Sequence, residues 1–365
     1  TAAILAYRHA SAVSTNVVLS RLKFHATNEA IDLTQVALRL TNTASSTSRD
    51  FVGQLVKLYK SDGTTLVGTL SFPGGNTRAS TTISGFQIPK DGDAIMIVKG
   101  DLSDIGVSQN GIQGHLISVD YDGTNYVDTK GTGVSSGATA TSGSTSSTSV
   151  AGVRMFKTVI TVTDSTSSTS LSAGGDLYKF KVEADPASAN GAFLYKVSFQ
   201  ISSSSALTVQ DYKLYGPNGA VNATAVNPVT SGSNYLLEIV FDSTATDRFV
   251  AAGGEKTFTL KADTVTSTGS AGTTDTLTVK LLGDSTYPGT SSLDATNAVC
   301  SDATNATQQG CTAYMNDAVA IDAGSEDDFI WSPQATTTVV AATNDFTNGF
   351  GVPTTGTDTL TNDLS

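Results

Sequence analysis

The sequence has little charge and few of the residues from which catalytic and metal sites are built. Only 15% of its 365 residues are Asp, Glu, Lys or Arg, and there are three histidines, two cysteines and one tryptophan. His9, His25 and His115 stand far apart, with no ligand spacing such as H-x-x-x-H, so each reads as a surface or strand position. There is no G-x-S-x-G elbow, P-loop or dinucleotide fingerprint, and a serine without a positioned base is not a nucleophile. The sequence therefore offers no catalytic residue. Acidic residues outnumber basic ones 33 to 21, for a net charge of −12, and no Lys/Arg cluster interrupts the pattern. Such a chain repels the phosphates that a nucleic-acid binder must neutralise. No apolar run approaches the roughly 18–20 residues of a membrane-crossing helix, so no membrane span is expected.

The composition is dominated by 55 threonines, 43 serines and 34 glycines. Ser and Gly fill helix interiors poorly, whereas Thr beside Val, Ile, Phe and Tyr suits a pleated, half-buried surface. Strict alternation recurs at Val36, Leu38 and Leu40; at Val197, Phe199 and Ile201; at Phe258 and Leu260; and at Leu277, Val279 and Leu281. This is the period of strands with one face in a core. Turn signals punctuate them, among them Asp62-Gly63, Pro73-Gly74-Gly75, Asp91-Gly92, Asp122-Gly123, Asn218-Gly219 and Gly253-Gly254. Many short strands so spaced predict an all-β sandwich or barrel.

An internal duplication sets the organisation. Leu22–Ala26 is echoed by Tyr178–Val182, Val36–Leu40 by Val197–Ile201, Lys57–Gly63 by Lys213–Gly219, and Val98–Asp101 by Leu260–Asp263. Four matches in one order predict two copies of one module. The expected layout is an N-terminal extension at 1–15, a first sandwich at 16–130 and a Gly/Ser/Thr linker at 131–150. A second sandwich follows at 151–335, with an irregular insertion near 284–328, and an irregular C-terminal tail at 336–365. The linker is expected to be flexible, because its composition cannot bury apolar area. Cys300 and Cys311, both inside the insertion, read as one disulfide that pins it.

The run Asp176–Asp185, followed by Leu194–Phe199, resembles the tandem Ig-like modules of secreted surface proteins from ultra-small, genome-reduced bacteria. Phe329-Ile330-Trp331-Ser332 and Asn344–Gly349 resemble the closing segment of those proteins, although Phe346 stands where a second Trp is usual and Pro333 also departs from the pattern. The resemblance extends over most of residues 16–350. It implies two tandem Ig-like β-sandwich domains, an extracellular location and a structural surface role, and it supplies no catalytic residues. A start at Thr1, with neither a basic nor an apolar leader, fits a chain whose secretion signal has been removed.

Four features remain as candidate sites. Asp120, Asp122, Asn125 and Asp128, and separately Glu326, Asp327 and Asp328, carry the hard oxygen ligands of a calcium loop, although Asp-Gly is also ordinary hairpin chemistry. Asn222-Ala223-Thr224 and Asn305-Ala306-Thr307 are formal glycosylation sequons. Trp331 could stack on a sugar, or else plug the core between two sheets. The N-terminal segment is apolar and extended, with Ile4, Leu5, Tyr7 and Val13 as its anchors. It either forms the first strand of its own sandwich or inserts into a neighbouring subunit by β-strand addition. A head-to-tail contact of that kind does not close and propagates a filament. The expectation is thus an extracellular homopolymer needing no cofactor; a two-dimensional surface layer and a glycan-binding adhesin of cell surfaces are the alternatives.

Overall fold

The computed structural model describes all residues except 1, 4–5, 42–45, 107, 166–169, 188–190, 232–233, 243–244, 271–273, 285–327, 334–346, 348, 353–356 and 364–365. The chain divides into two compact units, one comprising Thr1–Lys157 and the other beginning at Thr158. Cys300, Cys311, Glu326, Asp327 and Phe346 lie outside the described residues, as does almost all of the insertion expected at 284–328.

The alternating segments of the first unit form Ala2–Ala3 (β1), Arg8–Ser11 (β2), Val17–Ala26 (β3), Ile31–Thr41 (β4), Phe51–Tyr59 (β5) and Leu66–Ser71 (β6). They continue as Arg78–Ile88 (β7), Gly92–Leu102 (β8), Leu116–Tyr121 (β9), Lys130–Gly133 (β10), Thr139–Thr141 (β11) and Val153–Phe156 (β12). One sheet has the order β1-β3-β8-β5-β6; the other runs β11-β10-β4-β9-β12-β2, with β7 also paired to β4. Leu22, Val56 and Met96 of the first sheet share one apolar cluster with Val36, Leu38, Val119 and Val153 of the second. Two faces packed on one core make this a β-sandwich. β1 pairs antiparallel with β3 in one sheet, while β2 runs parallel to β12 in the other. That switch of the leading strand between sheets is an Ig-like arrangement.

The second unit repeats the plan with Ile160–Asp164 (β13), Asp176–Ala184 (β14), Ala192–Ser203 (β15), Leu207–Gly216 (β16), Gly219–Ala220 (β17) and Ala223–Ser231 (β18). Asn234–Phe241 (β19), Phe249–Val250 (β20), Glu255–Ser267 (β21), Thr274–Leu281 (β22), Phe329–Ser332 (β23) and Thr357–Asp363 (β24) complete it. Its sheets run β13-β14-β21-β16-β17 and β18-β19-β15-β22-β24, with β20 and β23 also on β15. The core between them is aromatic: Phe199 lies 5.8 Å from Tyr178 and 6.1 Å from Phe180, centroid to centroid, across the sandwich. Asp284, 3% exposed, follows β22 and accepts the backbone N–H groups of Asp328, Phe329 and Gly349. One carboxylate thereby binds β22, β23 and the segment that bridges Trp331 to Thr347.

The four sequence repeats fall on equivalent strands, β3 with β14, β4 with β15, β5 with β16 and β8 with β21. Their side chains repeat as well. Lys57 pairs with Asp101 as Lys213 pairs with Asp263, and Lys99 caps the Tyr59 ring at 4.9 Å as Lys261 caps Tyr215 at 5.4 Å. Gly63 and Gly219 hold positive φ, 71° and 112°, at matching turns, where a side chain would be strained.

Three expectations change. The segment 131–150 is no free linker, because β10 pairs with both β4 and β11. Backbone and hydroxyl groups hold it: the Tyr121 hydroxyl reaches Ser142 and the Ser144 carbonyl, and Ser147 accepts from Gly123 N–H. Glycine is required at 131, where a Cβ would stand 2.4 Å from the Asp32 carbonyl. Val153–Phe156, expected to open the second sandwich, pairs with β2 and β9 of the first. The tail is not irregular throughout, since β24 pairs along seven residues of β22.

The second unit also buries an ion pair. Lys196 of β15 donates to Glu238 of β19 at 2.7 Å, the side chains 2% and 8% exposed. Removing one partner leaves the other charge buried, which costs about 3–5 kcal/mol, whereas an apolar pair of similar volume is near neutral. Lys196→Met or Glu238→Leu alone should lower the denaturant midpoint of this unit strongly, and the double substitution should recover most of the loss.

Candidate assembly interface

The N-terminal segment enters the first unit as two short pairings at sheet margins. Ala2 and Ala3 face Leu22 and Arg21 of β3, and Arg8–Ser11 lies parallel to Val153–Phe156. Both strands are outermost in their sheets. In this structure the segment therefore serves its own sandwich. Of its expected anchors, Ile4 and Leu5 lie outside the described residues, and Tyr7 is half-buried. Val13 is 38% exposed and no strand position: it lies in the turn after β2, with φ +58°. A β-branched residue in the left-handed region is strained, and Asn16 follows at +55°. The turn is nonetheless anchored, since Leu102 N–H donates to the Ser14 carbonyl and Asn16 N–H to Asp101.

Sequence reasoning missed the polar contacts beneath this segment. His9 pairs in register with the fully buried Arg154 and meets the Phe156 ring edge-on at 5.0 Å. Burial and then the Arg154 charge push its imidazole down to about 3 from an ordinary 6.5. His115, expected at a surface or strand position, is buried just before β9, with Nδ1 2.9 Å from both carboxylate oxygens of Asp50. Asp50 also accepts the Thr47 N–H, which fixes the loop before β5. The signal available for His9 was its place inside an apolar run; for His115 there was none, because its partner lies 65 positions away.

Of the carboxylates considered for calcium, Asp120, Asp122 and Asp128 are engaged internally. Asp120 accepts from the Thr41 hydroxyl at 2.7 Å, and burial raises its pKa. Asp122 caps the turn at Gly123–Asp128 by accepting from Thr124 N–H, and Asn125 donates to Asp128. Among the described residues no group of three or more His, Cys, Asp or Glu side chains comes together as a metal site. Trp331 is 1% exposed and packs as a core plug, leaving no ring face for a sugar. None of the described helices is long and apolar enough to cross a membrane.

No protein-family model matches the sequence, and no curated protein matches it. Among solved structures, the chain is similar to a variant of BcpA, the major pilin subunit of Bacillus cereus, at 11% identity over 62% of this chain and 59% of that one, with a TM-score of 0.19. It is also similar to the major pilin SpaD of Corynebacterium diphtheriae, at 12% identity over 77% and 63% of the two chains and a TM-score of 0.21. The C-terminal domain of the AgI/II polypeptide BspA of Streptococcus agalactiae matches at 11% identity, 75% and 91% coverage and a TM-score of 0.21. The chain thus spans about three fifths of the length of these two pilins. At such scores, function has to be read from the geometry of the chain itself.

Because burial and the nearby Arg154 charge disfavour the protonated His9 ring in the docked segment, docking depends on pH. Above about pH 6.5 the ring is neutral whether docked or released. As pH falls from there toward 3, the released segment gains a proton that the docked one does not, and docking weakens by up to about 1.4 kcal/mol per pH unit. Hydrogen exchange at residues 8–11 should accelerate between pH 7 and pH 5 relative to β4, and His9→Leu should remove that difference.

Proposed function

We propose that this chain is the structural subunit of an extracellular homopolymer, assembled head to tail by exchange of its N-terminal strand. The observation that carries the reading is how the segment is held: two residues on β3 and four on β12, both at sheet margins, behind a turn strained at Val13. A terminal strand on a strained hinge is the element that domain swapping exchanges at low cost. In the polymer, residues 1–11 of one subunit replace the equivalent strands of the next, and each exchanged contact covers an edge that would otherwise invite uncontrolled pairing. Hydroxyl-rich, charge-poor surfaces suit close packing of subunits. The role is structural and non-catalytic, at the cell surface, with a second copy of the chain as partner.

Electron microscopy of the full chain beside a form lacking residues 1–11 tests the reading. Filaments from the full chain, and folded monomers from the shortened one, are expected. Val13→Gly, which relieves the strained turn, should slow filament growth severalfold without lowering monomer stability. Chelator-sensitive sheets from both chains would instead favour a surface layer.

A further inference from the structure

In the second sandwich two tyrosines approach each other from opposite sheets. Tyr212 lies on β16, in register with Ala262 of β21, and Tyr235 on β19, in register with Ile201 of β15. Ala262 and Ile201 are fully buried, so both tyrosines stand on the core side of their sheets. Tyr212 gets there through a break in the alternation. Val209 and Tyr212 are both 8% exposed although three positions apart, whereas a regular strand sends every second side chain inward. Asp211 between them holds φ +60°, in the left-handed region, and its carboxylate accepts from the Thr264 hydroxyl of β21 at 2.7 Å. A non-glycine residue kept in that region marks a strained step held by its surroundings, and here the step turns a phenol toward the other sheet. The two rings meet with centroids 6.2 Å apart and planes inclined at 57°, and their hydroxyls share a hydrogen bond. Burial raises the pKa of both, so each keeps its proton at neutral pH.

We propose that Tyr212 and Tyr235 form a site of oxidative phenol coupling, at which a haem peroxidase with hydrogen peroxide joins the two rings by a carbon–carbon bond and so ties the two sheets together. Each phenol gives up one electron and its hydroxyl proton to become a phenoxyl radical. The unpaired electron of such a radical sits on the oxygen and on the ortho and para ring carbons. The para carbon carries the Cβ of the residue, which leaves the Cε carbons that flank the touching hydroxyls. A Cε–Cε bond forms, the protons on those two carbons move to the oxygens, and both phenols are restored. The pair loses two electrons and two protons in all, and these reduce one hydrogen peroxide to two waters. Placement gives the selectivity. Tyr235 is half-buried and offers the oxidant a point of electron removal, while Tyr212 is screened from solvent, so a radical there meets the partner ring before it meets another chain. The bond joins positions 23 apart on opposite sheets, and a link of that kind stabilises by narrowing the unfolded ensemble. Because it lies within one unit, the inference is independent of strand exchange.

The test treats the full chain, dilute and unassembled, with a haem peroxidase and hydrogen peroxide, the peroxide being raised until Tyr126, 36% exposed in the first unit, is measurably oxidised. Dityrosine fluorescence reports coupling, and mass spectrometry of proteolytic peptides locates it. The expected product joins the peptides carrying Tyr212 and Tyr235 within one chain, two hydrogens lighter than their sum, and accounts for most of the fluorescence at the size of the monomer. Tyr235→Phe should abolish that product and most of the fluorescence while leaving oxidation of Tyr126 unchanged. The coupled chain should also show a higher denaturant midpoint for its second unit than the untreated chain. Oxidised Tyr126 without the 212–235 product, or coupling spread over other tyrosines and between chains, would overturn the site whatever filaments form. A 212–235 product that leaves the midpoint unmoved would overturn the tie between the sheets.

Discussion

Every open β-sheet ends in two strands whose outer N–H and C=O groups have no partner within the sheet. In a two-layer sandwich the same margins are where water could reach the apolar interior, so each edge is a hydrogen-bonding problem and a packing problem together. Both units meet it by laying short segments along their margins: β1 and β2, β10 and β11 in the first, β13, β17 and β24 in the second. The long central strands are nearly the same in the two units, and the differences lie in how the edges are finished.

The duplicated features explain why the central strands agree. Alternation supplies one buried face, and on the other face a Lys–Asp pair and a Lys over a Tyr ring recur at matching registers. Exposed pairs of this kind add little stability. Their recurrence across adjacent strands instead favours one register, because a slip by one residue would turn every buried side chain outward. The buried Lys196–Glu238 pair and the His115–Asp50 contact do the same within single units, where a misplaced strand would leave a charge without its partner.

Much of this was legible beforehand, and the limits have physical causes. Val36–Leu40, Val197–Ile201 and Leu277–Leu281 declared their strands by period alone, and the four repeats fell on equivalent strands. The Gly/Ser/Thr stretch did not declare itself, because hydroxyls, backbone groups and close glycine contacts hold it in place of apolar area. The strand at Thr357–Asp363 was hidden for a similar reason, having a single large apolar residue. The N-terminal segment was recognisable as an edge-seeking strand from Ala2 through Tyr7, but its division between two sheets was not. The apolar run around His9 hinted at its burial, but nothing local announces its pairing with Arg154, 145 positions away along the chain.

The carboxylate of Asp284 has a further consequence for how the chain acquires its shape. It gathers β22, β23 and the bridge near Thr347 at a point late in the sequence, and Trp331 fills the core from there. The first sandwich has all its strands once Phe156 has emerged from a ribosome or a translocation channel. The second must wait with its aromatic interior open until residue 349 is out, and its last strand, β24, comes later still, at Thr357–Asp363. Folding is therefore vectorial: the N-terminal half can finish while the C-terminal one is half-made, and completion of the second half is tied to arrival of the residues between Phe329 and Asp363.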